Sequence, residues 1–169
     1  MNPTLSAWNE ADAQTALDAM LACCGAQRWA KAMVALRPIA SVVELSAAAD
    51  RIWSTMEEAD WMEAFACHPR IGDRKAAHAS RKSVAWSQQE QAATNSAATS
   101  VLDELATGNA LYEQRFGFTY IVCATGKSAE EMLTILNRRL AGDHATELRE
   151  AAEQQRQITQ IRLGKWLVE

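Results

Sequence analysis

Proline and glycine are scarce in this chain of 169 residues, at three and seven respectively, so little interrupts a helix once it has started. No apolar run approaches the roughly 20 residues that span a bilayer, which excludes a membrane-spanning helix. An excess of positive charge is missing too. The formal net charge is −4 and the isoelectric point about 5.4, which argues against a surface that tracks nucleic acid or an anionic membrane. A small neutral or anionic ligand stays open, because a pocket can be locally positive on an acidic protein.

The four cysteines, Cys23, Cys24, Cys67 and Cys123, contain no CxxC pair. Adjacent residues such as Cys23 and Cys24 are badly placed to bond each other or to share one tetrahedral metal, so we read the thiols as small buried hydrophobes and expect no metal. A charged-then-apolar leader is absent, and the ending "WLVE" lacks a peroxisomal address of the Ser-Lys-Leu type. The expectation is a reduced, cytoplasmic compartment.

What the chain does have is Ala, Leu, Met, Glu and Gln, residues that lose little freedom in a helix. Helices are expected over Ala11–Cys24, Ala26–Ala35, Val42–Met56, Asp60–Cys67, Gln88–Leu105, Leu111–Arg115, Ala129–Ala141 and Thr146–Leu167. Short connections such as "RPIAS" and "ATGKS" leave no room for an interdomain linker. The expected fold is all-α: a single compact multi-helix domain over residues 1–169, large enough to form a core without metal or disulfide staples. Tryptophans Trp8, Trp29, Trp53, Trp61, Trp86 and Trp166 are read as core anchors.

Four features stand out from this background. In "FACHPRIGDR", Pro69 disfavours helix in the residue before it, so His68 is expected at a fixed corner where a helix ends near Cys67. It is either a helix terminator favoured by the C-terminal dipole or a functional imidazole. The other two histidines, His78 and His144, are read as solvated, and the basic run Arg70, Arg74, Lys75, Arg81 and Lys82 as an exposed loop.

The second feature is a serine followed three residues on by glutamate, at "SVVE" (Ser41), "SQQE" (Ser87) and "SAEE" (Ser128), which fits a capping box. At Ser87 a second reading stays open. Glu90 and Gln91 would then lie in the first turn of a helix whose N–H groups favour an anion, a good place for a substrate.

The third lies in the last helix, where Leu148, Ala151, Ala152, Gln155, Ile158, Thr159, Leu163 and Trp166 share one face at 100° per residue. Arg162 falls in the middle of it. Either it snorkels its head to water or pairs with an internal acid, or its guanidinium fork is held in a pocket to grip a carboxylate.

Fourth, "RFGFTYIVCATG" reads as one short extended segment near residues 116–124 with no partner strand elsewhere. Its backbone groups are satisfied by helices and water, or some line a polar site. Gly117 is consistent with close backbone approach.

The blocks "CCGAQRWAKAMVALRP", "DWMEAFACHPRIGD", "SQQEQAAT" and "FGFTYIVCATGKSAEEML", in this order and followed by "ITQIRL", resemble the 2-oxo-4-hydroxy-4-carboxy-5-ureidoimidazoline (OHCU) decarboxylases of urate degradation. The resemblance runs from about Trp8 to Leu163; one departure is Ala93, where family members often carry glycine. It implies an all-helical, usually dimeric enzyme that works without metal or organic cofactor and releases CO2 to leave (S)-allantoin. It further implies His68 as general acid/base and Glu90 as the group that orients His68 or binds the ureido and ring N–H groups. Ser87 and Gln91 would hydrogen-bond the substrate, Pro69 shape the pocket wall, Arg162 hold an anionic or carbonyl oxygen, and backbone near Ile121 complete the polar contacts. A reading from another class is a helical ligand-binding or interaction module that keeps the pocket without turnover.

Overall fold

The structure of the protein, a computed structural model, describes residues 2–71, 81–92 and 97–169. The described residues form nine α-helices and no strand, and divide into two compact units, one of residues 1–64 with 156–169 and one of residues 65–155.

The first unit begins with a helix that composition alone passes over: α1, Pro3–Glu10. Its start is written in "NP". Asn2 accepts the Leu5 N–H at 3.0 Å, and Pro3 occupies a first-turn position where its missing N–H costs nothing. Asp12 caps α2, Ala13–Cys23, by accepting from the N–H groups of Gln14 and Thr15. Its carboxyl is held below the usual range, first by the Thr15 hydroxyl and then by that N–H. Then follow α3, Gln27–Ala35, and α4, Val42–Trp53.

Both tryptophan indoles at the centre of this unit find carbonyls: Trp29 donates to Ala49 at 3.1 Å and Trp8 to Ala16 at 3.0 Å. Trp8 also meets Trp166 edge-on, with ring centroids 6.0 Å apart. Five of the six tryptophans are buried and Trp61 is half-buried. Asp50 accepts from Arg156 and Gln160, tying the second half of the last helix to α4.

Helix α5, Glu58–Ala66, and helix α9, His144–Trp166, each contribute residues to both units. The second unit adds α6, Arg81–Glu90; α7, Thr99–Phe116; and α8, Ala129–Leu140. At Ser128 the capping box is complete: Ser128 accepts the Glu131 N–H and Glu131 accepts the Ser128 N–H. At Ser41 the serine caps α4, but Glu44 reaches the Ala40 N–H instead.

The third capping reading is overturned. Ser87 does not start a helix: "SQQE" is the last turn of α6, and the Gln91 N–H closes onto the Ser87 carbonyl at 3.1 Å. The expected Gln88–Leu105 helix is therefore two helices, and Leu111–Arg115 is the end of α7. The reason lies in the periodicity. Ser83, Trp86 and Ser87 are all buried, an i, i+3, i+4 stripe that holds the serine inside a helix face rather than at its end.

Helix α7 stops at Gly117, whose φ of 81° is left-handed and whose N–H donates to Glu113. A Cβ built there meets nothing within 4 Å, so the glycine serves this conformation and not close approach. Gly117→Ala should therefore destabilise by about 1–2 kcal/mol through the backbone alone, and Gly117→Asn by less. Urea unfolding of the three proteins tests the order.

The segment after Gly117 carries neither helix nor strand over residues 119–124, and side chains of α8, α9 and Lys127 satisfy part of its backbone. Arg139 donates to the Ile121 carbonyl at 2.5 Å, Gln154 accepts the Cys123 N–H at 2.8 Å, and Lys127 donates to the Cys123 carbonyl at 2.7 Å. Cys23, Cys24 and Cys123 are buried and Cys67 is half-buried.

Candidate functional site

His68 stands where the proline rule places it. Helix α5 ends at Ala66, the His68 N–H turns back onto the Phe65 carbonyl at 3.1 Å, and Pro69 is buried. The imidazole is half-exposed, and its Nε2 lies 2.7 Å from Oε1 of Gln155, a side chain with no solvent exposure at all. An amide oxygen only accepts. In this arrangement Nε2 carries the proton and donates it to Gln155.

Gln155 was visible in the sequence only as a polar residue on an apolar face. The signal was there, since a buried amide must be hydrogen-bonded, but the partner is 87 positions away in the chain.

Every residue of that predicted α9 face is buried, and so is Arg162, at 2% exposure. The snorkelling alternative is thereby removed: the guanidinium is inside the protein. Arg162 belongs to the unit of residues 1–64 with 156–169, while His68, Pro69, Ser87, Glu90, Gln91 and Ile121 belong to the other.

Ser87, at 2% exposure, Glu90 and Gln91 share the C-terminal end of α6, the latter two half-buried. This reverses the electrostatics expected of them. The end of a helix presents unpaired carbonyls and partial negative charge, so a carboxylate there is disfavoured on stability grounds. Such an end, with Glu90 added, suits a ligand rich in N–H donors and not an anion.

The Ile121 carbonyl accepts from Arg139, so this oxygen already has a strong donor. The same guanidinium pairs with Glu147 through Nε at 3.0 Å, and the Tyr112 hydroxyl donates to Glu147. Arg139, Glu147 and Tyr112 are all nearly fully buried, and burial keeps both Tyr112 and Tyr120 protonated well above the usual phenol range. Sequence reasoning missed this cluster. Ala129, Met132, Leu136 and Arg139 form one buried stripe of α8, the same anomaly of a cation on an apolar face that drew attention to Arg162.

Among the basic residues, Arg70 is exposed and pairs with Glu113, Arg81 is exposed, and Lys82 lies over the Trp86 ring. Arg74, Lys75, His78 and Ala93 lie outside the described residues. His144 is exposed at the start of α9. The surface cleft between α8 and α9, lined by Val122, Lys127, Ile135, Arg138 and Gln154, contains none of the expected site residues.

Comparison with known proteins matches residues 9–164 to the family model described as OHCU decarboxylase. The chain is 38% identical over 146 residues to the uric acid degradation bifunctional protein TTL of Arabidopsis thaliana, covering 85% of this chain but 44% of that protein. It is 28% identical over 127 residues to the 2-oxo-4-hydroxy-4-carboxy-5-ureidoimidazoline decarboxylase of Amia calva, covering 75% and 73%. It thus spans less than half of the plant relative. A crystal structure of OHCU decarboxylase in the presence of (S)-allantoin superposes with a TM-score of 0.77 at 33% identity, over 90% of this chain and 99% of that one. An (S)-allantoin synthase, at 16% identity and a TM-score of 0.71 over 96% of this chain and 53% of that one, shares the fold.

Proposed function

The chain belongs to the OHCU decarboxylase family, and we propose that it decarboxylates OHCU to (S)-allantoin in urate degradation, as one functional domain over residues 1–169. The observation that carries this reading is His68, fixed between a proline and a wholly buried acceptor at a half-exposed position.

The substrate bears hydroxyl and carboxylate on one ring carbon, beside a carbon doubly bonded to nitrogen. When the bond to the carboxylate breaks, CO2 leaves and the electron pair flows through the ring toward that C=N bond. The ring is its own electron sink, so the step calls for no metal or organic cofactor. What remains is to hold the carboxylate, move the hydroxyl proton, and deliver a proton to the ureido-bearing carbon from one side.

In this reading His68 moves the proton, imidazole being the side chain whose free form changes charge nearest neutrality. Arg162 grips the carboxylate or a carbonyl oxygen, where a buried guanidinium fork is strong because it is removed from water. The carbonyl end of α6, with Glu90, Ser87 and Gln91, receives the ureido and ring N–H groups. Pro69 forms wall, and backbone near Ile121 completes the polar contacts. The enzyme acts as a homodimer in the cytoplasm.

Generating OHCU in situ from urate with the enzymes that precede this step, and following the circular dichroism of allantoin, tests the activity. One sign of signal, appearing faster than spontaneous decay, is the expected result. Racemic product at the background rate would instead identify a binding module without turnover.

A further inference from the structure

Gln155 is a core residue by every measure of packing, yet it carries two polar groups and directs its carbonyl oxygen at His68 from 2.7 Å. Leucine would fill such a place in a helix face of Leu148, Ala151, Ala152 and Ile158 with less desolvation. We infer that Gln155 is a positioning residue for the proton-transfer step, holding His68 as the tautomer protonated on Nε2 so that Nδ1 carries the lone pair.

The inference rests on the proposed role of His68 and adds which nitrogen acts. A neutral imidazole has one N–H and one lone pair, and the bond made by one nitrogen decides the other. With Nε2–H donated to Gln155, the hydroxyl proton of the substrate goes to Nδ1, giving an imidazolium whose Nε2–H bond to Gln155 is retained. The proton then leaves from Nδ1 to carbon and the ring returns to its first tautomer, while the substrate nitrogen that took up the electron pair is protonated from solvent. Gln155 neither gains nor loses a proton. Its restraint comes from α9, which fixes the amide, and the 2.7 Å separation leaves the ring little freedom to flip.

The test reads the tautomer directly. Long-range proton–nitrogen NMR correlations of protein labelled with 15N-histidine distinguish a protonated ring nitrogen from one bearing a lone pair, and loss of one pattern in His68→Asn assigns the signals. In the wild type, above the titration of the ring, His68 should be protonated on Nε2. Gln155→Leu, close in volume, should give a mixture of tautomers and lower kcat about tenfold or more with KM little changed, because binding groups are untouched.

A wild-type ring protonated on Nδ1 overturns the inference without any variant, so misfolding of Gln155→Leu cannot hide its failure. So does a folded Gln155→Leu with unchanged tautomer and kcat. An active His68→Asn overturns the catalytic reading of His68 itself, and the two failures are told apart by the wild-type spectrum.

Discussion

His68→Asn should lower kcat for stereospecific allantoin formation by about 100- to 10,000-fold, the range lost when a positioned general acid/base is removed. The fold should survive. His68 is half-exposed after the end of α5, the turn is set by its backbone bond to Phe65 and by Pro69, and no core volume depends on the ring. Far-ultraviolet dichroism of the variant should stay near that of the wild type and the urea midpoint should fall by no more than loss of the Gln155 hydrogen bond explains, about 1–3 kcal/mol, while the allantoin signal rises at close to the spontaneous rate.

Glu90→Gln removes a charge but keeps an acceptor, so its effect should be smaller, about 10- to 100-fold, matching a charge-assisted hydrogen bond of about 1.5–3 kcal/mol. Because an amide also donates, that variant should suffer more if Glu90 faces two N–H groups of the substrate than if it faces one. Wild-type rates in both variants would reject the roles given to His68 and Glu90.

The largest effect on stability is expected at Glu147. Replacing it with leucine leaves the Arg139 guanidinium buried without its carboxylate and takes the acceptor from the Tyr112 hydroxyl. Breaking a buried ion pair on one side costs about 3–5 kcal/mol, a large part of the stability of a domain this size. The double variant Arg139→Met with Glu147→Leu should recover much of that loss, since no charge is then stranded, and denaturant unfolding in a double-mutant cycle measures the recovery. Recovery of stability need not bring recovery of activity. Arg139 also holds the Ile121 carbonyl, so the double variant separates the pair's effect on folding from its effect on the 119–124 segment. If Glu147→Leu unfolds at the wild-type urea concentration, the cluster contributes little and this account of it is wrong.

Much of the architecture could be read from the chain because it depends on neighbours in sequence. The buried face of α9 was complete, residue for residue, since a 3.6-residue period needs no tertiary information. The capping box at Ser128 and the stop before Pro69 are likewise local. The same local logic failed at Ser87, where Ser-x-x-Glu matches a helix start but sits at a helix end. A capping motif and a solvent-to-core stripe compete for one serine, and burial beside Trp86 won. Helix α1 was missed although Asn2 and Pro3 announce it.

The sequence by itself determined an all-helical chain, its family, and the suspicion attached to a histidine before proline and an arginine among apolar residues, because helix periodicity, proline sterics and the desolvation of charge act within a few residues. Only the tertiary structure decided that His68 is held by Gln155, that Ser87 and Glu90 lie at a carbonyl end, and that Arg139 meets Glu147 and Ile121. Those pairings join positions from 8 to 87 residues apart, and such a hydrogen bond depends on where the packing of segments distant in sequence leaves its donor and acceptor.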